Sequence, residues 1–528
     1  MVKDLRTKPF ALRVGKCNQL SVDEEAKWNL YQTQTFIPCL ETLFKTDVLQ
    51  SAAVYGIKLS DSIQAVISPG TVQLTSGKQA EIHRKTTCIL SPFRSMRGDY
   101  GSLGLPAPSD TSGHVVEKLQ SPHTAAYVGA LASVVLSESD CPHFPKVYGV
   151  YCGMAKIHSI DISDDYEELS ERPWFAQNIG KTFNLKLRPV VGTPAFQHTR
   201  SQRPAIVLDE MIALDGIQDI EVEHQSDVSP ASMVGEDEPM GDEEGDDGST
   251  STEDVFAIES CDCESDGSDF GDDEESEPYA WAELQNVPVV TTVMETCEGT
   301  FYDLIKLDTD PVHHLAFVAQ VIFALSYAQR IFALTHNDLH GNNIMFVRTA
   351  QEFMSYNLDG VLYRVPTYGY LMKIIDFDRA IFSVRLNGMR DPKLFMSDQF
   401  KEEEEAGGQY NMEPFFTQSQ PSYRANASFD LVRLATSMYW DLFPGDPAEP
   451  SESPLKALFI RWMTLGDGTS VLFGKKNPEH DRYHGFDQYK AIARFCKDTA
   501  VPRKEVAFLS TFKTDKVPLG DLCVLIES

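Results

Sequence analysis

The apolar positions divide the chain into a few readable elements. Thr124 to Leu136 is rich in Ala, Leu and Val and predicts a buried helix. Val312 to Phe332 is apolar almost all round, as a helix enclosed on every side should be. Val147-Tyr-Gly-Val-Tyr151, Val287 to Met294 and Leu371 to Ile375 are short apolar runs that predict strands. Residues 1–87 are mixed and carry no chemical motif, and no internal repeat is present.

The pattern stops between Glu221 and Pro278. That stretch is Asp, Glu, Gly and Ser with few large apolar residues. It cannot bury enough surface to offset the entropy of ordering it, so a disordered insert is expected. Charge sharpens the picture. The 528 residues contain 46 Lys+Arg and 78 Asp+Glu, for a net charge of −32. Between Asp209 and Glu277 there are 27 acidic side chains and no basic one, and removing them from −32 leaves −5. The acidity therefore belongs to the insert, which repels nucleic acid and anionic membranes. Docking to a basic partner is one reading of it, and a solvating linker is the plainer one.

Other classes recede. No run of about 18 apolar residues suggests a membrane span. Met1 to Cys17 lacks the apolar core of a secretory signal, so an intracellular protein is expected. The ten cysteines are scattered without a CxxC pair, and Cys261 and Cys263 have no His nearby. Reduced thiols are expected, and zinc is not. Nothing in the pattern speaks to an oligomeric state.

The chemistry lies just beyond the long apolar helix. His336-Asn-Asp-Leu-His-Gly-Asn-Asn-Ile-Met345 is followed by Lys373-Ile-Ile-Asp-Phe-Asp-Arg-Ala380. Phosphoryl transfer from ATP needs a carboxylate to orient the attacking hydroxyl. It also needs an amide oxygen and a second carboxylate to hold Mg²⁺. Asp338, Asn343 and Asp376 supply that set.

Here the sequence resembles the protein kinase superfamily, whose catalytic loop reads HRDLxxxN and whose metal motif reads DFG. The resemblance implies an α+β, bilobal fold. A small β-rich N-lobe would span 88–294 and include the disordered acidic insert at about 221–278. A larger helical C-lobe would span 295–528, and residues 1–87 would be a region of unknown role. It implies ATP and Mg²⁺ as cofactors, Asp338 as catalytic base, and Asn343 and Asp376 as metal ligands. His340 stands where the family has a Lys and would contact phosphate if protonated. Met96-Arg-Gly-Asp-Tyr-Gly-Ser-Leu103 resembles the glycine loop, with Gly98, Tyr100, Gly101 and Leu103 in register. Lys118, seventeen residues after Gly101, takes the place of the lysine that contacts phosphates. Met294, Glu295 and Cys297 resemble the adenine-binding hinge, and Ile206 to Glu210 is a rival for it. Phe429 to Ala435 resembles the helix whose Asp, here Asp430, bonds back to the catalytic loop.

Val365-Pro-Thr-Tyr-Gly-Tyr370, read as a hairpin, and Cys141-Pro-His-Phe-Pro-Lys-Val-Tyr-Gly149 resemble segments of the protein kinase-like proteins of large DNA viruses, and cytoplasm or nucleus of a host would then be the compartment. Ser or Thr of a protein would be the acceptor. Choline and ethanolamine kinases share HNDxxxxNI and IDFE, which keeps a small-molecule acceptor open. A non-catalytic pseudokinase is the third reading. Met96 replaces a glycine, Asp378 replaces the glycine of DFG, and the helix after Lys118 has no Glu. Asn337 replaces the Arg that pairs with a phosphorylated loop, so activity should not depend on phosphorylation between Asp376 and Pro421.

Overall fold

The computed structural model describes residues 9–44, 54–101, 104–107, 119–163, 165–188, 218–219, 279–401, 404–410, 426–445, 447–448, 453–518 and 522–526. Within them the chain is an α+β protein with one eight-stranded sheet, smaller sheets and several helices. Leu103, Lys118, the rival hinge and the acidic tract at 221–278 lie outside these residues.

The large sheet is organised around Tyr279–Glu295. One edge of this strand pairs antiparallel with Val147–Asp161. The other edge is shared. Its first part pairs with Phe183–Arg188, and its second part with Gln79–Cys88. Thr71–Leu74 and Ile63–Ser68 continue the sheet beyond Gln79–Cys88, while Leu30–Gln34 borders Val147–Asp161. From Val287 to Met294 every residue is buried, which is why the sequence shows a continuous apolar run there rather than an alternation. Val289 and Val293 pack with Trp28, Val72 and Phe183 on one face. Val290 and Met294 face the main core.

This sheet overturns one expected boundary. Residues 1–87 do not form a region apart from the sheet, because residues 30–34, 63–68 and 71–74 are strands within it. Position 87/88 itself falls inside Gln79–Cys88. The Ile63–Ser68 and Thr71–Leu74 strands are joined at Pro69-Gly70, and Ser68 pairs with Thr71.

The predicted helix at 124–136 is Ala125–Ser137, and the one at 312–332 is Pro311–Phe332. Asp310 caps the latter by accepting from the Val312 N–H at 2.9 Å, and Pro311 sits at the first turn, where no N–H is needed. The helix ends at Ala333, whose φ is +49°. Among the described residues it is long and apolar enough to cross a membrane, with mean hydropathy 1.5, but 89% of that window is buried inside the fold. Ala316 to Ala324 pack in the main core on all sides.

After this helix, Ile344–Arg348 pairs antiparallel with Tyr370–Ile374. Between them Phe353–Leu358 and Val361–Pro366 form a hairpin that turns at Asp359 and Gly360, with φ of +49° and +85°. Cys523–Ile526 adds a parallel strand to it. This hairpin accounts for the long interval between Asp338 and Asp376. The Val365–Tyr370 segment is therefore a link between two sheets, with Tyr368 and Gly369 at positive φ, and is not itself a hairpin.

Candidate active site

The 336–343 loop is fixed from two sides. His336 N–H and Asn337 N–H donate to the two carboxylate oxygens of Asp430, at 3.0 and 2.9 Å. Asp430 lies in the helix Phe429–Leu442, longer than the predicted 429–435, and is fully buried. Asn337 takes a φ of +66°, and its side chain donates to the carbonyls of Thr335 and Arg379 while accepting from the Tyr410 hydroxyl at 2.8 Å. On the other side the loop is stitched to residue 375. The Ile375 N–H donates to the Asn343 carbonyl at 3.0 Å, and the His336 ring bonds the Ile375 carbonyl at 2.7 Å. These bonds bring Asp376 beside the loop. Phe377, 2% exposed, anchors the turn against Phe144 and His336.

Asp338 accepts from the Tyr489 hydroxyl at 2.7 Å, and the Arg379 guanidinium lies 3.9 Å from its other oxygen. Burial alone would raise this carboxyl, but Arg379, then His340 and Tyr489, outweigh it and hold Asp338 well below the usual carboxylate range. Asn343 donates its amide to the Asp338 carbonyl at 2.9 Å, which leaves the amide oxygen as the group able to ligate a cation. His340 is 9% exposed, and burial pushes it down to about 4 against the pull of Asp338. That direction favours the neutral ring, whereas the phosphate contact was expected only of a protonated one.

Lys85, on Gln79–Cys88, completes the cluster. Its ammonium lies 2.7 Å from Asp376 and 2.7 Å from Asp378. Burial opposes its charge, but the two carboxylates outweigh burial and raise it. Asp376, at a φ of +64°, would be raised by its enclosure, yet Lys85 holds it below its ordinary value. For Asp378, burial and the Asp376 charge prevail over Lys85 and push it up to about 6. The trio is thus one ammonium held between two carboxylates.

The structure brings Asp338, His340, Asn343 and Asp376 together. It does not bring the expected glycine loop to them. Met96 and Arg97 end the helix Pro92–Arg97, and Gly98 is its left-handed cap at φ +87°. Gly98, Tyr100 and Gly101 line a cavity beside Thr182, Asn184 and Asn286. That cavity touches the Leu284–Val287 part of the central strand, whereas Lys85 pairs opposite Thr292. At about 3.4 Å per residue the two places are well over 10 Å apart. Lys85, Arg379 and Tyr489 are the residues of this cluster that sequence reasoning missed, and Asp378 was read only as a departure from the metal motif.

At the expected hinge, Met294 is buried at the end of the central strand. The Glu295 N–H donates to the Lys146 carbonyl at 2.8 Å, so that donor is spent. The Glu295 carboxylate accepts from the Lys146 N–H at 3.0 Å and from buried Lys373, tying the strand end to Tyr370–Ile374. Cys297 is half-buried, and burial pushes its thiol up to about 12.

No family model matches the chain. Among curated proteins it is similar to "Uncharacterized protein ZK177.2" of Caenorhabditis elegans, 27% identical over 66 residues. That match covers 12% of this chain and 22% of the other protein's length.

Proposed function

We propose that the chain is an ATP-dependent phosphotransferase with a bilobal protein kinase-like fold, acting on a Ser or Thr hydroxyl of a protein. The observation that carries this reading is the convergence of Lys85, Asp338, Asn343 and Asp376 from three separate stretches of chain. One ammonium, two carboxylates and an amide oxygen are the donor set that Mg²⁺ and a polyphosphate require. When bound, Mg-ATP supplies the electrophilic phosphoryl group. Asn343 and Asp376 would hold the cation, and Lys85 the phosphates. Asp338 orients the acceptor hydroxyl and accepts its proton. Because Arg379 stabilises its ionised form, Asp338 acts more by positioning than by basicity. The 296–298 connection after Met294 would receive the adenine.

A second reading, a nucleotide-binding scaffold without transfer, has one observation in its favour. Tyr489 already occupies an oxygen of Asp338 with its hydroxyl. One experiment separates the readings. The purified chain is given Mg²⁺ and labelled ATP with basic, acidic and proline-directed peptides and with choline. Transfer to a peptide that is abolished in Asp338→Asn and Lys85→Met supports the kinase. Transfer to choline moves the acceptor to a small molecule. Nucleotide binding without transfer supports the scaffold.

A further inference from the structure

We propose that Asp378 is the positioning residue for Lys85, supplying a carboxylate that the neighbouring helix cannot provide, and that Gly129 is the vacancy that admits it. This rests on the phosphotransferase reading of the site. In that reading Asp376 is drawn to the metal, so it cannot also be the lasting partner of Lys85. In protein kinases the lysine that meets phosphates is held in place by a second carboxylate, carried by a helix packed beside it. The packed helix here is Ala125–Ser137, and it contains no acidic residue.

Asp378 fills that gap. Its Oδ1 lies 2.7 Å from the Lys85 ammonium, and its Oδ2 accepts from the Thr87 hydroxyl at 3.3 Å. Lys85 and Thr87 are two apart on one strand, so they present to the same face. The Asp378 side chain is 19% exposed, against 41% for Asp376. The helix has made room for it. A Cβ on Gly129 would stand 1.9 Å from Asp378 Oδ1, 3.1 Å from its Cγ and 3.2 Å from its Cα. No side chain fits at 129 while Asp378 holds Lys85: the collision is with the carboxylate oxygen, whereas the approach to the Asp378 Cα asks for a shift of only a few tenths of an ångström. A glycine on the helix and an aspartate after Asp376-Phe377 are thus two halves of one exchange.

The test is the affinity for Mg-ATP, measured by binding rather than turnover, together with the melting temperature without nucleotide. The set is wild type, Lys85→Met, Asp378→Asn, Asp378→Gly, Gly129→Glu and the double Asp378→Gly/Gly129→Glu. Asp378→Asn and Asp378→Gly should each weaken binding about tenfold, the scale of one lost charge-assisted contact. Gly129→Glu alone should lower the melting temperature, since the glutamate collides with Asp378. The double variant returns the carboxylate to the helix and should recover binding and melting temperature together. A purely structural role for Asp378 would not be rescued by a carboxylate placed on another element. If Asp378→Asn and Asp378→Gly bind like wild type while Lys85→Met does not, the proposal is overturned and the phosphotransferase reading stands. If wild type itself does not bind Mg-ATP, both fall. Should the double variant fail to fold, the near-isosteric Asp378→Asn decides alone.

Discussion

Replacing Asp430 removes the two bonds that hold the 336–338 turn. Asp430 is 0% exposed, and its oxygens accept from the N–H groups of His336 and Asn337 at 3.0 and 2.9 Å. Asp430→Ala leaves both donors buried without an acceptor, at about 1–3 kcal/mol each, or about 2–6 kcal/mol in all. One term works the other way. Burial raises the Asp430 carboxyl, so the folded state already strains against its charge, and alanine relieves that. We therefore expect a net loss of about 3 kcal/mol, in the lower half of the range. Asp430→Asn keeps one acceptor but turns an NH₂ toward the other N–H. It should lose about 1–3 kcal/mol. Function should suffer further, because Asn337 sits at φ +66° and relaxes once its N–H is released. Urea unfolding followed by tryptophan fluorescence reads the stability, and peptide phosphorylation reads the loop. An Asp430→Ala protein within about 0.5 kcal/mol of wild type would refute the accounting, since that is the scale of an ordinary surface change.

Gly341→Ala should destabilise by about 1–3 kcal/mol, because its Cβ would stand 2.5 Å from the ring of Tyr302, which is 4% exposed and bonded to the Ser437 carbonyl. Thermal unfolding unchanged from wild type would contradict this. His143 is fully buried, with its ring nitrogens on the Met372 carbonyl and the Tyr356 hydroxyl, and burial pushes it down to about 4. A base with a depressed folded value contributes stability that is lost as pH falls from about 6.5 toward 4, so wild type should lose about 2 kcal/mol by pH 5 from this group. His143→Gln should flatten that slope in denaturant titrations at pH 8 and pH 5, and an unchanged slope would assign it elsewhere. Glu505, 3% exposed, accepts from the Trp462 indole at 2.6 Å and pairs with Arg461. Glu505→Ala strands the indole N–H and should cost about 1–3 kcal/mol, while Mg-ATP affinity stays as in wild type.

The site was half legible in the sequence, and the division has physical causes. Asp338, Asn343 and Asp376 stand in short polar motifs next to strongly apolar elements, and local backbone bonds through Ile375 are enough to bring them together. Lys85 had no such frame. Its strand reads Gln79-Ala-Glu-Ile-His-Arg-Lys-Thr-Thr-Cys88, with three basic residues in a row and one large aliphatic, Ile82. That pattern resembles a solvated edge, and only pairing to Tyr279–Glu295, just over 200 residues away, makes it an inner strand. His114-Val-Val-Glu-Lys118 looked more like a strand and so drew the assignment. The hairpin around Pro69-Gly70 was a signal within reach, since two short apolar runs flank a turn dipeptide. Following it one strand further leads to Lys85.

Tyr489 could not be found that way at all. It meets Asp338 across 151 positions, from the helix Gly485–Phe495, and is wedged between Arg433 and Arg379 at 4.5 and 5.7 Å. Gly129 is the opposite case. Its position was plain and its meaning was not. Inside a buried helix a glycine reads as a loss of about 1 kcal/mol in helix propensity. Propensity counts only what a residue does for its own helix. The space beside Gly129 is filled by a carboxylate 249 positions later in the chain, so the residue that weakens the helix is the one on which the Lys85 ion pair depends. A rule applied along the sequence sees the cost of that glycine, and only packing across elements shows what it accommodates.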